Sequence, residues 1–290
     1  MQTIYKLEQR KVTSERKHML KILGIFTCYN RKEKTKQCLE SLIKENSNIN
    51  FSFIAVDDQS SDGTAKMLQQ CSNVKLIRGD GNCFYSGGMR LGIKEAKKYC
   101  REYEWVLLFN DDVAFVPQAI EKLEALSIDR KEILVGATCD GQGILSYGGV
   151  LQASRYKPDF RIVMSGKEKV YCDTFNANCV LIPTSVFQKL PNIDDIYTHS
   201  LGDFDYGLEA HKLGIPILVS DFFVGTCCDN PLTGTWRDVS LTRRERLKKK
   251  ESPKGLPRRE WFHFVKKHYG FISACWSSVT PYVKILLRMP

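Results

Sequence analysis

The sequence predicts an α/β protein with a mostly parallel sheet in its first half, a mixed sheet in its second half and a helical C-terminal extension. Three observations carry this prediction. From residue 20 to about 125, short apolar runs alternate with segments of helical spacing, which is the pattern of βαβ units. Each run is cut off by Asp, Asn, Ser or Thr, the composition of a turn at a strand's end. The length of 290 residues, with 43% hydrophobic and 26% charged residues, suits one large domain with an appendage and excludes a disordered tail or a fibre.

The elements follow in order. Residues 1–20 are polar and form a loosely attached leader. Met19–Cys28 starts after a basic stretch, but Lys21 interrupts its apolar run and no small-residue cleavage site follows, so it reads as a buried strand and not a signal peptide. Within it, Ile22–Thr27 is the strand core. From Arg31 to Glu45, Cys38, Leu39, Leu42 and Ile43 recur at helical spacing. Phe51–Val56 is a second strand, ended by Asp57 and Asp58, and Asp62 opens a helix capped at Ser60 or Ser61. Val74–Ile77 is a third strand, and Ser86–Tyr99 a helix entered through a glycine pair. Trp105–Phe109 is a fourth strand, stopped by Asn110, Asp111 and Asp112, and Pro117 opens the next helix. Further on, Ile133–Thr138, Gly149–Gln152, Arg161–Met164 and Cys179–Pro183 read as strands of a mixed sheet, and Gly202–Leu213 as a helix. After Trp236 the chain turns basic and helical, with a break over residues 252–257.

The charge is unevenly placed. The net charge is +10, and residues 241–290 carry all of it, while residues 1–240 are neutral in sum. The basic segment is interleaved with Trp261, Phe262, Phe264, Tyr269, Phe271, Trp276 and Tyr282, a composition suited to an anionic membrane surface. A solvated helical face packed on the body has the same composition. A neutral body argues against a nucleic-acid enzyme, whose basic groove belongs beside its chemistry. No apolar stretch reaches the roughly 18 residues of a spanning helix. The eleven cysteines are odd in number and contain no CxxC pair, so they read as buried thiols in a reducing cytoplasm, not as a disulfide framework or zinc site.

In a parallel sheet, ligands bind beyond the carboxyl ends of the strands. Three polar clusters fall at that edge: Thr27–Asn30, Asp57–Ser60 and Asn110–Asp112. Adjacent Asp111 and Asp112 repel one another, and a hard cation such as Mg²⁺ or Mn²⁺ relieves that repulsion; a polar turn has the same residues. Asp57 and Asp58 suit hydrogen bonds to a ribose or base. The glycine-rich segment 79–88 brings flexible backbone and a helix start to the same edge, suited to a diphosphate, although it matches neither GxGxxG nor a GKS/GKT loop. Asp203 and Asp205, after His199, put paired carboxylates at a helix start, where one can serve as a general base or as a partner of the helix dipole.

Together, FTCYNR at 26–31, VDDQSSDGT at 56–64, GDGNCFYSGGMRLGI at 79–93, FNDDV at 109–113 and HSLGDFDYGLEAHKLG at 199–214 resemble the family 2 glycosyltransferases. The segments VGTCCDNP…GTW (224–236) and SPKGLP..EW (252–261) resemble one bacterial branch, of rhamnosyl-type and polysaccharide-assembly transferases. The resemblance covers roughly residues 21–265. It implies a Rossmann-like GT-A fold over 21–238, with a nucleotide-binding half about 21–115 and an acceptor half about 116–238, followed by the extension 239–290. It implies inverting, hexosyltransferase-type transfer from a nucleoside-diphosphate sugar, UDP or dTDP, to a hydroxyl of a cell-surface glycan or lipid-linked acceptor. By position, Thr27, Tyr29 and Asn30 border the base and ribose, with Asp58 on the base edge and Asp57 supporting it. Asp111 and Asp112 fall where carboxylates bind Mn²⁺ or Mg²⁺, and Asp203 where the base takes the acceptor proton. His199, Asp205 and Trp236 fall on the acceptor or diphosphate side.

Two departures from the family pattern matter. The metal motif begins with Asn110 where many relatives have Asp, and the late region that often supplies a metal-binding His reads VGTCCDNP, with Cys227, Cys228 and Asp229 as poor replacements. Two other functions compete: a sugar-phosphate nucleotidyltransferase, which needs an early glycine-rich loop with Arg and Lys that FTCYNR does not provide, and a non-catalytic sugar-nucleotide-binding relative. The expected location is cytoplasmic, peripheral at the inner face of the plasma membrane.

Overall fold

The structure, a computed structural model, describes residues 19–227 and 232–290. The leader expected over 1–20 falls almost wholly outside these residues, as do Cys228 and Asp229. The first half repeats strand and helix: β1 (Leu20–Cys28), α1 (Lys32–Glu45), β2 (Ile49–Asp57), α2 (Thr64–Gln69), β3 (Val74–Arg78), α3 (Phe84–Ala96) and β4 (Trp105–Phe109). The second half holds β5 (Ala114–Phe115), α4 (Ala119–Glu124), β6 (Ile133–Cys139), β7 (Leu145–Tyr147), β8 (Gly149–Gln152), β9 (Phe160–Val163), β10 (Val170–Tyr171), β11 (Thr174–Phe175), β12 (Cys179–Pro183) and α5 (Thr184–Phe187). It closes with α6 (Gly202–Lys212), β13 (Ile217–Thr226), α7 (Arg243–Lys250), α8 (Arg258–Tyr269) and α9 (Phe271–Leu286).

The main sheet runs β10-β13-β6-β12-β4-β1-β2-β3. Strands β3, β2, β1 and β4 are mutually parallel, β12 lies antiparallel between β4 and β6, and β13 is parallel to β6. The winding direction reverses beside β1: β2 and β3 lie on one side and β4 on the other. Such a reversal opens a crevice at the carboxyl ends of the two strands, and residues 27–31 and 110–112 stand there. The second half is mixed as expected, with one difference. Gly149–Gln152 and the strand near Arg161 leave the main sheet and form a small antiparallel sheet, β11-β8-β9.

Alternation along the strands feeds two cores. Ile22 and Phe26 of β1 pack with Trp105, Leu107 and Phe109 of β4 on one face, and Leu23 and Ile25 with Val106 and Leu108 on the other. Every residue of β4 is buried, as a central strand covered on both faces requires. The second core also contains Phe264 and Val265 of α8 and Ala274 of α9, so the extension shares the body's core.

Local chemistry adjusts several boundaries. Asp62, not Ser60 or Ser61, holds the start of α2: its Oδ1 accepts from Thr64 N at 3.0 Å, and its Oδ2 from Lys32 N at 2.9 Å. Gly87 and Gly88 lie inside α3, because Thr27 packs so closely that a Cβ on Gly88 would stand 2.2 Å from its Oγ1. Pro117 precedes α4 by two residues, separated from it by Gln118 at φ 58°. The ten-residue β13, which no reading of the sequence above included, carries Cys227 to the sheet edge beside Asp112.

Candidate active site

The crevice is built around a shared cation. Arg31, in the turn after β1, places Nη1 at 3.2 Å from Asp111 Oδ1 and 2.8 Å from Asp112 Oδ2. Thr35 Oγ1 donates to the other oxygen of Asp111 at 2.8 Å. Burial pushes the Asp111 carboxyl up to about 6, with Arg31 and Thr35 pulling down and Asp112 adding to the rise. Asp112 is partly exposed, and its Oδ1 lies 3.6 Å from Cys227 Sγ. Asn110 Oδ1 is buried with no hydrogen-bond partner. Two hard carboxylates and an unpartnered amide oxygen in the same turn are oxygen donors of the kind Mg²⁺ or Mn²⁺ takes, and an ion bound there would displace the Arg31 guanidinium from both carboxylates.

Among the described residues, two groups of three acidic, sulfur or imidazole side chains lie close enough to share an ion, and Asp111 and Asp112 belong to neither. In Asp58, Asp80 and Cys83, the Asp58 oxygens are taken by backbone N–H groups, while burial pushes the Cys83 thiol up to about 11. In Asp205, Glu209 and His268, the Lys267 ammonium already stands among the carboxylates.

On the β2 side of the crevice, fully buried Asp57 is paired with Arg78 at 2.8 Å and accepts from Ser60 N at 3.2 Å. Asp58 accepts from Gly81 N and Cys83 N on Oδ1 and from Phe84 N on Oδ2, at 2.8, 3.2 and 3.0 Å, so it folds the 79–84 loop around itself. Asn30 Oδ1 accepts from Ser61 N at 2.8 Å, and Asn30 N donates to Ser60 Oγ, tying the first two turns together. Thr27 is half-buried against α3 with Oγ1 on Val56 O, whereas Tyr29 is 55% exposed at the crevice rim. Asn30, Gln59, Phe84 and Leu201 all take positive φ. Strained backbone of this kind is held in place by surrounding structure, and here it gathers at the turns that form the crevice.

The opposite wall is the segment leading into α6. Asp203 stands in the first turn of α6, partly exposed. Its Oδ1 accepts from Phe204 N at 2.9 Å and its Oδ2 from Ala177 N at 3.3 Å. Burial pushes its carboxyl up to about 6 despite these bonds. The neighbouring Asn178 accepts from Asn110 N at 3.2 Å and donates to Cys227 Sγ at 3.3 Å. Residues 177 and 178 therefore connect Asp203 with the turn carrying Asp111 and Asp112. Burial, with the positive charges of Lys254 and Arg31, holds His199 down at about 4, so it is neutral near pH 7; its Nδ1 is buried without a partner. Asp205 points elsewhere: it is buried against α8, 2.8 Å from Lys267 and 2.7 Å from His268. Trp236 is partly buried, with its carbonyl accepting from Arg246 Nε and Arg237 over its ring.

Sequence reasoning gave no role to Arg31, Thr35, Arg78, Asn178 or Glu260. Arg31 lay within a quoted motif, but its partners are 80 residues away and nothing local announces them. The run from Ile217 to Thr226, following Gly214 and Pro216, was the available signal for β13 and hence for Cys227.

The chain is similar to several known proteins. A solved structure of S. aureus TarS, residues 1–349, superposes with a TM-score of 0.53 over 92% of this chain and 81% of that chain, at 16% identity. The mannosyltransferase PcManGT from Pyrobaculum calidifontis, solved with GDP-Man and Mn²⁺, superposes with a TM-score of 0.52 over 92% of this chain and 73% of that chain, at 11% identity. At these identities the likeness establishes the fold, which is GT-A. An uncharacterized glycosyltransferase of Haemophilus influenzae is 31% identical over 99 residues, 34% of this chain and 32% of that protein, so the chain matches about a third of the length of this curated relative. The family model described as "Glycosyl transferase family 2" matches residues 25–177, which carry the crevice turns from Thr27 to Asp112, and the chain belongs to that family.

Proposed function

We propose that the protein is a metal-dependent, inverting glycosyltransferase of hexosyl type. It moves a sugar from a UDP- or dTDP-sugar to a hydroxyl of a cell-surface glycan or lipid-linked acceptor, at the cytoplasmic face of the membrane. The half 21–115 takes the nucleotide and the half 116–238 the acceptor. The observation that carries this reading is Asp203: a partly exposed carboxylate raised to about 6, held by two backbone N–H groups and tied through 177–178 to the Asp111–Asp112 turn.

Asp203 is ionised above pH 6 and more basic than an ordinary carboxylate, so it suits the proton of an attacking hydroxyl. The acceptor oxygen bonds to the anomeric carbon as the bond from that carbon to the diphosphate oxygen breaks. The hydroxyl proton passes to Asp203, and the nucleoside diphosphate leaves with the electron pair. A single displacement inverts the centre. Asp111 and Asp112 would hold a divalent cation, whose Lewis acidity stabilises charge on the departing diphosphate. Thr27, Tyr29 and Asn30 border the nucleoside, with Asp57 and Asp58 fixing the turns around it. Neutral His199, beside the charges of Lys254 and Arg31, faces the diphosphate.

The direct test supplies a panel of UDP- and dTDP-hexoses with Mn²⁺ and a mixture of lipid-linked and polysaccharide acceptors, and measures acceptor-dependent release of the nucleoside diphosphate. Release that Asp203→Asn slows by about 10²–10⁴-fold supports the reading. Release unchanged by that substitution refutes the role of Asp203, and none from any donor refutes the transferase.

A further inference from the structure

The C-terminal helices treat their apolar residues in opposite ways. Helix α8 turns inward: Phe264 and Val265 are fully buried, Trp261 Nε1 donates to Ser277 O at 3.0 Å, and Tyr269 OH accepts from Gln152 at 2.6 Å. Of the aromatics expected at a membrane, Phe264 is therefore a core residue, and Trp261, Phe262 and Tyr269 are partly buried against that core. Helix α9 buries a face made of Ala274, Ser277, Ser278, Pro281 and Ile285. Its other face carries Ile272, Trp276, Val279, Val283 and Leu286, with Ile272 86% and Trp276 78% exposed. Their spacing of four and three residues makes one continuous apolar stripe along the helix.

Charge identifies what covers this stripe. No Asp or Glu occurs between residues 261 and 290. Helix α7, in contact with α9, exposes Arg243, Arg244, Lys248 and Lys249, and Arg288 is exposed just beyond α9. None of these five forms a salt bridge among the described residues. A second copy would set the same unneutralised cations against themselves, whereas anionic headgroups neutralise them while the boundary beneath accepts apolar side chains and a Trp ring.

We propose that α9 is an interfacial helix, lying with its apolar stripe in an anionic lipid surface while α7 and Arg288 meet the headgroups. Helix α8 joins this surface to the acceptor wall. Glu260 binds Thr198, His263 lies 2.9 Å from Asp194, and Lys267 pairs with Asp205, so α9 is held in fixed relation to the segment bearing His199 and Asp203. That placement matters to a lipid-linked acceptor only under the transferase reading; lipid binding by α9 does not depend on it.

The test uses the full chain and vesicles of phosphatidylcholine with or without phosphatidylglycerol, with no sugar nucleotide present. Co-sedimentation with phosphatidylglycerol vesicles, at least about tenfold stronger than with phosphatidylcholine alone and weakened by salt, is the expected result. The tryptophan emission should shift to the blue on binding, and Trp276→Phe should abolish that shift. Val279→Glu, at an exposed position, should weaken binding about tenfold or more while leaving the melting midpoint and nucleotide-induced shifts unchanged. Binding that Val279→Glu leaves intact would overturn the proposal, as would a blue shift that survives Trp276→Phe. So would absence of vesicle binding, whether the chain stays monomeric or pairs through the stripe. Because lipid binding and nucleotide response are read separately, failure of either leaves the other measurable.

Discussion

Glu260 of α8 accepts both the backbone N–H of Thr198, at 3.2 Å, and its hydroxyl, at 2.8 Å. Thr198 immediately precedes His199, and its own carbonyl accepts from Ser86 N and Gly87 N at the start of α3. The C-terminal extension is thus part of the wall that holds Asp203. Hydrogen bonds to a charged group contribute about 1.5–3 kcal/mol each, so Glu260→Ala should cost at least about 2 kcal/mol in urea unfolding. Transfer should slow more than nucleotide binding weakens, because the turns proposed to take the nucleotide follow β1, β2 and β3.

Asp203→Asn should separate activity from stability. Burial lifts this carboxyl from 3.8 to about 6, so the folded protein binds more protons than the unfolded chain between those values. Its contribution to stability is present below pH 3.8 and lost as pH rises through 6, costing up to about 3 kcal/mol at neutral pH. The melting midpoint relative to the parent should therefore be higher at about pH 7.5 than at pH 4, offset at every pH by the backbone N–H that an amide nitrogen cannot accept. In the parent, transfer should rise with pH through about 6 as Asp203 ionises.

Lys267→Met should be among the most destabilising single changes in the extension. It strands buried Asp205, whose carboxyl is subject to an upward push from burial that His268 and Lys267 more than overcome. Breaking one side of such a pair costs about 3–5 kcal/mol, readable as a fall in the denaturation midpoint. Asp205's folded value lies below its ordinary one, so this pair's stabilisation is present above pH 3.8 and fades as pH falls through the lowered value.

Gly88→Ala should disturb the turn after β1 from behind. The added Cβ would stand 2.2 Å from Thr27 Oγ1 and 2.8 Å from Thr27 Cβ, so Thr27 or the helix must shift. Overpacking of this kind costs about 1–3 kcal/mol, and nucleotide affinity should fall with the melting midpoint. A neighbouring control, Gly87→Ala, meets nothing closer than 3.5 Å and should be tolerated.

The parallel half was legible because each of its strands is a buried apolar run ended by polar residues, and such runs report themselves locally. The same locality put Asp111 and Asp112 at a strand end, and helical spacing put Asp203 at a helix start, before any contact was known. What stayed hidden depends on pairs distant in sequence. Arg31 reaches Asp111 and Asp112 across 80 residues, and Asp205 reaches Lys267 across 62, so nothing near Asp205 distinguishes it from Asp203. Strands of two or three residues, such as β5, β10 and β11, are defined by partners and not by periodicity. The aromatics of 241–290 read as a single basic, aromatic segment, whereas packing against β8 and the 194–205 segment draws those of α8 towards the core and leaves Phe271 and Trp276 of α9 exposed.

The most direct measurement titrates nucleoside diphosphates and their sugars against the protein with and without Mn²⁺, following the melting midpoint, which specific binding raises by mass action. The expected result is a Mn²⁺-dependent rise with UDP or dTDP that Asp112→Ala abolishes and Asp203→Ala retains. No rise with any nucleotide, or one indifferent to both Mn²⁺ and Asp112→Ala, would contradict the metal-assisted transferase built on this crevice.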